Sequence, residues 1–469
     1  MNLTERSFGQ TFTWGVATSA YQIEGAVAEG GRSPSVWDHF SQLEGAVLNG
    51  DTGAVACDHY HRYLDDIQLM VQLGVKHYRF SIAWSRIMPE GRGPVNEAGV
   101  DFYRRLVDGL LDHGITPHAT LFHWDSPQAL EDRYGSWRSR EMAQDFADYA
   151  GVVVGRLGDR VTHWITLNEI FCFIHMGYGV GDVLTQQPRP PHAPGTVVER
   201  LQEVWQASHH ALLAHGWGCQ AIRAASPQPC QVSLVDNPMV PVPMIESPEH
   251  IEAAKNAFEL VGTNGGVIWP VLTGRYSEKL LAQLGEEAPE ILPGDLETIH
   301  QPLDSFGFNV YSGCYVRAVE AGSGNDAGFE WVDLPKGYPR MHMPWLQVVP
   351  EAMYWGVRHV GETLGRGDLP IFVTENGCAA QDELRDGAVW DTDRIFYLRQ
   401  YLRAAERAVA EGFPLRGYFL WSLLDNFEWA YGYGRRFGIV YLDYEDDLKR
   451  VPKASFDWYR ECVRQGRVV

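Results

Sequence analysis

The chain has 469 residues, 45% of them hydrophobic and 21% charged, which is the composition of a globular protein with material for a large core and excludes disordered and fibrous classes. Its net charge of −21 repels phosphate backbones and anionic lipid, so nucleic acid and membrane surfaces are excluded as main partners. Sixteen Trp and 21 Tyr supply many flat aromatic faces, a hint of ring-shaped ligands beyond what the core needs.

No apolar stretch has the ~18 residues of a membrane span. The start, Met1 to Gly15, carries Glu5 and Arg6 and no apolar signal core, so a cytoplasmic location is expected. Asn2-Leu3-Thr4 matches a glycosylation sequon by pattern only. The seven Cys are scattered with no CxxC pair, which predicts reduced thiols and no thiolate zinc site.

Short apolar or β-branched runs alternate with amphipathic stretches along the whole chain. Strands are predicted at Thr11–Ala17, His77–Ile82, Thr116–Phe122, His163–Leu167, Gln231–Val235, Phe306–Val310, Ile371–Thr374 and Gly417–Trp421. Helices are predicted between them at Tyr60–Leu73, Glu97–His113, Glu141–Leu157, Val198–Ala225 and Thr392–Glu411. Eight strands alternating with helices predict an α/β fold, a single (β/α)8 TIM barrel with long βα loops spanning 1–469. An open doubly wound sheet is the alternative, but no GxGxxG turn follows the first strand. Polar and aromatic residues gather where strands end: Gln22, His123-Trp124-Asp125, Asn168-Glu169, Asn309-Val310-Tyr311, Glu375-Asn376 and Trp421. In a barrel these ends converge on one face. Segments 181–195, 285–302 and 320–344, rich in Pro and Gly, are expected to wall a pocket there.

Two of these ends present carboxylates, Glu169 and Glu375, far apart in the chain. On strands four and seven they would face each other across the mouth. Paired carboxylates about 5–5.5 Å apart suit double displacement at a glycosidic carbon, one attacking and the other protonating the departing oxygen. The attacker must stay ionised, and Arg79 and Tyr311 are candidates to hold Glu375. The acid must keep its proton, which an anionic neighbour assists. Asn168, beside the acid, can donate to a sugar hydroxyl. Any single acidic residue is more commonly a solvated or ion-paired group, so the strand-end context carries this reading.

The chain resembles the family 1 glycoside hydrolases, the β-glucosidase type, nearly end to end. The matching residues run from Phe12, Trp14-Gly15 and Ala17-Thr18-Ser19-Ala20-Tyr21-Gln22 to Arg436-Phe437-Gly438-Ile439-Val440-Tyr441. Between them lie Asp58-His59-Tyr60-His61, Tyr78 to Arg86, Leu121 to Asp125, Thr166-Leu167-Asn168-Glu169, Ile371 to Gly377 and Trp421 to Trp429. The resemblance implies a retaining β-glycosidase acting on terminal β-D-glycosyl residues of small β-glucosides and β-linked disaccharides such as cellobiose. It implies β-galactosidase and β-fucosidase activity beside the β-glucosidase, Glu375 as nucleophile, Glu169 as acid/base, and no cofactor or metal. It further implies that Gln22, His123, Asn168, Glu428 and Trp429 grip the sugar hydroxyls and that Trp421 stacks on the ring. Trp345 would lie on the leaving-group side; Trp124, Asn309, Tyr311 and Phe437 are further expected substrate contacts.

Departures bear on what the resemblance carries. Ile170-Phe171 stand where the family usually has Pro and often Trp, at the leaving-group side. The segment from Gly181 to Gly195 is longer than usual. Glu169, where plant thioglucosidases have Gln, points to O-glycosides, and Glu428-Trp429 disfavours the phospho-sugar branch, because a second anion there is repelled. Two other classes remain open: a transglycosylase in which a sugar intercepts the glycosyl-enzyme, and a sugar-binding relative without turnover. His59, His61 and Asp58 read as structural hydrogen-bonding groups, and Cys172 and Cys378 as pocket packing.

Overall fold

The computed structural model describes residues 7–179, 189–191, 200–319 and 327–469. Eight parallel strands form the centre: β1 (Thr13–Ala17), β2 (His77–Ser81), β3 (Thr116–Phe122), β4 (His163–Asn168), β5 (Gln231–Asp236), β6 (Ser305–Asn309), β7 (Ile371–Asn376) and β8 (Leu415–Trp421). Each pairs with its neighbours in sequence, and β1 pairs with β8 from Thr13↔Gly417 to Ala17↔Trp421, closing the barrel. Closure leaves no open edge with unpaired N–H and C=O groups, and it rules out the open sheet.

Boundaries move by a residue or two from those expected. Thr11 and Phe12 precede β1, with Phe12 packed against Phe8 and Trp14, while β8 starts two residues early at Leu415. Gly15 is required by packing: a Cβ there would lie 2.5 Å from the Phe419 ring. Small residues on one strand thus admit large ones from the next, as layered barrel interiors demand.

Helices His59–Leu73, Glu97–Asp112, Glu141–Leu157, Leu201–Ala225, Glu351–Thr363, Thr392–Ala410 and Ala454–Gln465 surround the sheet. Glu97–Asp112 buries Val100, Phe102, Tyr103, Leu106, Val107 and Leu110 on one face, the stripe its sequence period predicts. His59–Leu73 stops at Gly74, whose positive φ lets its N–H bond back to the Met70 and Val71 carbonyls. No helix among the described residues is long and apolar enough to cross a membrane.

Segment 285–302 does not have the expected role of a pocket wall. It runs along the outer Leu201–Ala225 helix: Glu287 accepts from the Gln202 N–H, and Asp295 bonds His209 and Arg140. Its prolines and glycines serve chain reversal against a helix, a use that composition does not separate from pocket building. The Asn2 sequon and most of 181–195, with the start of 320–344 and the Val198 helix start, lie outside the described residues.

The long loops after β7 and β8 are tied by buried charge. The Lys453 ammonium, with 0% side-chain exposure, reaches Asp382 Oδ2 at 2.5 Å, Asp425 Oδ1 at 2.7 Å and the Gly438 carbonyl at 2.7 Å. Arg394 pairs with Asp382 and Asp391, and Arg436 with Asp425. Lys453→Met therefore removes the shared cation between two buried carboxylates. Urea unfolding is expected to show a loss of about 3–5 kcal/mol. A loss under about 1 kcal/mol, the range of an exposed pair, would mean that the two arginines suffice.

Candidate active site

At the carboxyl ends of β4 and β7 the two glutamates meet unlike surroundings. Glu375, next to last in β7, pairs with Asn309 of β6. Its neighbours in the chain explain its motif. The Thr374 hydroxyl donates to Asn309 Oδ1 at 2.7 Å, and Asn376 Nδ2 donates to the Val310 carbonyl at 2.6 Å. Gly377 follows because any Cβ there would sit 1.6 Å from the Trp421 carbonyl oxygen. Glu375 Oε1 accepts from Arg79 at 2.6 Å and Oε2 accepts from the Tyr311 hydroxyl at 2.7 Å. Both carboxylate oxygens are thereby oriented. The Tyr311 backbone is itself held, its carbonyl accepting from the Tyr397 and Tyr401 hydroxyls.

Glu169 follows β4 with φ +53°, a left-handed conformation uncommon for a side-chain-bearing residue. Its N–H donates to the Val235 carbonyl on β5, and its own carbonyl accepts the Cys172 N–H, each at 2.9 Å. Glu169 Oε1 accepts from Asn309 Nδ2 at 2.7 Å. Burial, then the charge of Glu375, pushes the Glu169 carboxyl up to about 8, only partly offset by hydrogen bonds from Asn309 and Cys172. Asn168 links the two glutamates: its Oδ1 accepts from Arg79 at 2.6 Å and from Asn309 at 3.1 Å, and its Nδ2 lies 3.3 Å from His123 Nε2. His123 is kept neutral by burial and by the nearby Arg79 charge.

Around this pair the expected sugar-contacting residues form one lining. Gln22 donates to the Phe427 carbonyl at 2.9 Å, to Asn426 at 3.1 Å and to Glu428 Oε2 at 3.5 Å, joining the loops after β1 and β8. Burial pushes Glu428 up to about 8, against the opposing charge of Arg189. The His123 ring is near-parallel to Trp421 and Trp429, with centroids at 5.8 and 6.0 Å. Trp124 packs on Trp429 and donates its indole N–H to the Asn168 carbonyl at 3.0 Å, which makes it a wall behind Asn168. Trp345 and Phe437 join through Tyr311, edge-on at 5.8 and 6.1 Å. Trp124 and Trp429, like Glu169, have positive φ, so three strained side-chain-bearing residues cluster at one face. Each costs of order 1–3 kcal/mol and persists only where the surroundings over-determine it.

Arg189 and Asp236 belong to this neighbourhood and carry no candidate role in the sequence. Arg189 lies over Trp37 and Trp124 and comes from the long 181–195 segment. Asp236 ends β5, and its signal was an acid closing an apolar strand run. Cys172 is buried beside Glu169, whereas Cys378 lies among Tyr397, Tyr401 and Tyr418 behind β7, away from the pocket. His59 bonds buried Asp66 at 2.8 Å, and His61 bonds Asp58 at 2.5 Å. Among the described residues, no group of three His, Cys, Asp or Glu has a geometry able to hold a metal ion.

The model of Glycosyl hydrolase family 1 matches residues 4–467. The bifunctional β-D-glucosidase/β-D-fucosidase of Bifidobacterium breve is 43% identical over 97% of this chain and 98% of that protein. The thermostable β-glucosidase B of Thermobispora bispora is 45% identical over 98% of this chain and 91% of that one. Among solved structures, the family 1 β-glucosidase from Thermotoga maritima superposes with a TM-score of 0.86 at 39% identity, covering 99% of this chain and 100% of that one. The same enzyme in complex with glucoimidazole gives 0.85 at 39% identity, over 98% and 100% of the two chains. The match spans the barrel and every loop that brings a residue to its mouth, and the chain belongs to glycosyl hydrolase family 1, the retaining O-glycoside hydrolases.

Proposed function

We propose that Glu375 is the nucleophile and Glu169 the acid/base of a β-glucosidase that also accepts β-fucosides. The substrates are terminal, non-reducing β-D-glycosyl residues of small glucosides and disaccharides such as cellobiose. The unlike environments of the two carboxyls carry this reading. Glu375 is in ion-pair contact with Arg79, while Glu169 lies buried against an anion and holds its proton to about 8. The sugar range rests on the relatives named for glucoside and fucoside hydrolysis.

In the first step a Glu375 oxygen attacks the anomeric carbon. The bond from that carbon to the aglycone oxygen breaks, and Glu169 delivers its proton to the departing oxygen. The products are a free alcohol and a glycosyl ester on Glu375. Water then attacks the same carbon, giving a proton to Glu169 as the ester bond breaks, so configuration is retained. Gln22, His123, Asn168, Glu428 and Trp429 hold the sugar hydroxyls, and Trp421 is the platform beneath the ring. Hydrogen bonds that tighten as the ring flattens stabilise the transition state more than the bound substrate.

Glu375→Gly is expected to abolish turnover, with azide partly restoring it and giving a product of inverted configuration. A retained-configuration product, or full activity, would overturn the nucleophile assignment. Glu169→Gln is expected to cost about 10²–10⁴ in kcat/KM on cellobiose and far less on a dinitrophenyl glucoside, whose leaving group needs little protonation. Equal losses on both would contradict the acid assignment.

Because Glu169 must be protonated in the first step, wild-type kcat/KM on cellobiose should fall as pH rises through about 8. That limb should vanish in Glu169→Gln, and its survival there would assign it to another group.

A further inference from the structure

We propose that His77, His118 and His163 form an acid-sensitive floor of the barrel. While neutral they pack beneath the Arg79–Glu375 pair; once protonated they bring uncompensated charge there, so that acid opens the fold and with it the site.

The three rings stand at the amino ends of neighbouring strands. His77 opens β2, His163 opens β4 and His118 is third in β3. Ladder register puts Arg79 beside His118 and His118 beside His163, one row across β2, β3 and β4. Side chains in one row of a sheet share a face, and Arg79, His118 and His163 line one cavity inside the barrel. Branched apolar side chains usually fill such an interior; here an arginine and two imidazoles stand in that row.

The contacts hold only while the rings are neutral. His77 Nδ1 lies 3.0 Å from His118 Nε2, a hydrogen bond in which one nitrogen donates and the other must be bare. Two imidazolium rings would meet N–H to N–H. His118 also packs on His163, with ring centroids 4.2 Å apart, where two buried charges repel.

The surroundings offer no counter-ion. β1 presents Gly15 opposite His77, β5 presents Gln231 and Ser233, β6 Ser305 and β7 Thr374, while Phe419 of β8 lies edge-on to His118 at 5.0 Å. On β4 the Thr162 hydroxyl, just before the strand, lies 3.1 Å from His163 Nδ1. The charged groups acting on the rings are one another and Arg79, a cation already paired with Glu375. Among the described residues, the histidines in ion-pair contact with a carboxylate are His59, His61 and His209.

Burial, and then the His163 charge, pushes His77 down to about 4. Burial, and then His163, His77 and Arg79, hold His118 well below the ordinary imidazole range, and burial lowers His163. In the unfolded chain each ring takes its proton near pH ~6.5. Their contribution to stability is therefore full above about pH 6.5 and lost as pH falls toward about 4, because the unfolded chain binds protons that the folded floor refuses.

Urea unfolding of wild type and His118→Gln at about pH 7.5 and about pH 5 tests this. One ring that moves from about 6.5 to about 4 on folding raises the unfolding constant about 30-fold between those conditions. The rise is expected to be about tenfold smaller, or more, in His118→Gln than in wild type. A merely lost packing contact weakens the fold equally at both pH values, so a rise unchanged within about twofold would overturn the proposal. Should His118→Gln not fold, His77→Gln is read the same way; that ring is half-buried and its amide replacement can still donate to His118. The ratio of inactivation rates at the two pH values, followed by turnover of p-nitrophenyl β-glucoside, should likewise be largest in wild type. Equal ratios in wild type and variant would overturn the proposal as well.

Discussion

The buried contact between Arg79 and Glu375 is the interaction on which the rest of this site depends. Both side chains are nearly inaccessible, at 1% and 4%, and taking two charges out of water costs several kcal/mol per ion unless the remaining donors and acceptors are satisfied. They are satisfied here in an ordered way. Arg79 spends its other N–H groups on Thr120, the Thr374 carbonyl and Asn168, while the second Glu375 oxygen takes the Tyr311 hydroxyl. The partners come from β3, β4, β7 and the loop after β6, so the pair can form only if the barrel closes in this register.

Asn168 and Asn309 carry the effect of that pair across the mouth. Both amide oxygens accept from neighbours, which turns Asn168 Oδ1 toward Arg79 and Asn309 Nδ2 toward Glu169. The result is a polarity gradient over a few ångströms, with a cation and a phenol on one carboxylate and an amide donor on the other. Two chemically identical side chains are thereby set to opposite tasks. The strained backbones of Trp124, Glu169 and Trp429 lie at the same mouth, where the surrounding contacts must hold them.

Much of this was legible in the chain. The eight strands follow from apolar runs separated by helical periods, and the strand-end residues from polar groups that interrupt those runs. Resemblance to a family then selected Glu169 and Glu375 among many carboxylates. Other parts were not legible. Segments 285–302 and 181–195 have similar composition, yet the first lies along an outer helix while Arg189 of the second lies over Trp37 and Trp124. Cys172 and Cys378 stand at the same spacing from a glutamate, and only one faces the pocket, because Glu169 is followed by a turn and Glu375 by a chain that passes under Trp421.

The sequence by itself determined the strand and helix periods, and so the barrel class, along with which residue types stand where strands end. These are local properties, set by side-chain alternation and turn chemistry within a few residues. The tertiary structure alone decided which carboxyl is paired with a cation and which keeps its proton. Those outcomes depend on burial and on distances between strands remote in sequence. Coulomb and desolvation energies change steeply over an ångström, and no spacing along the chain encodes that separation.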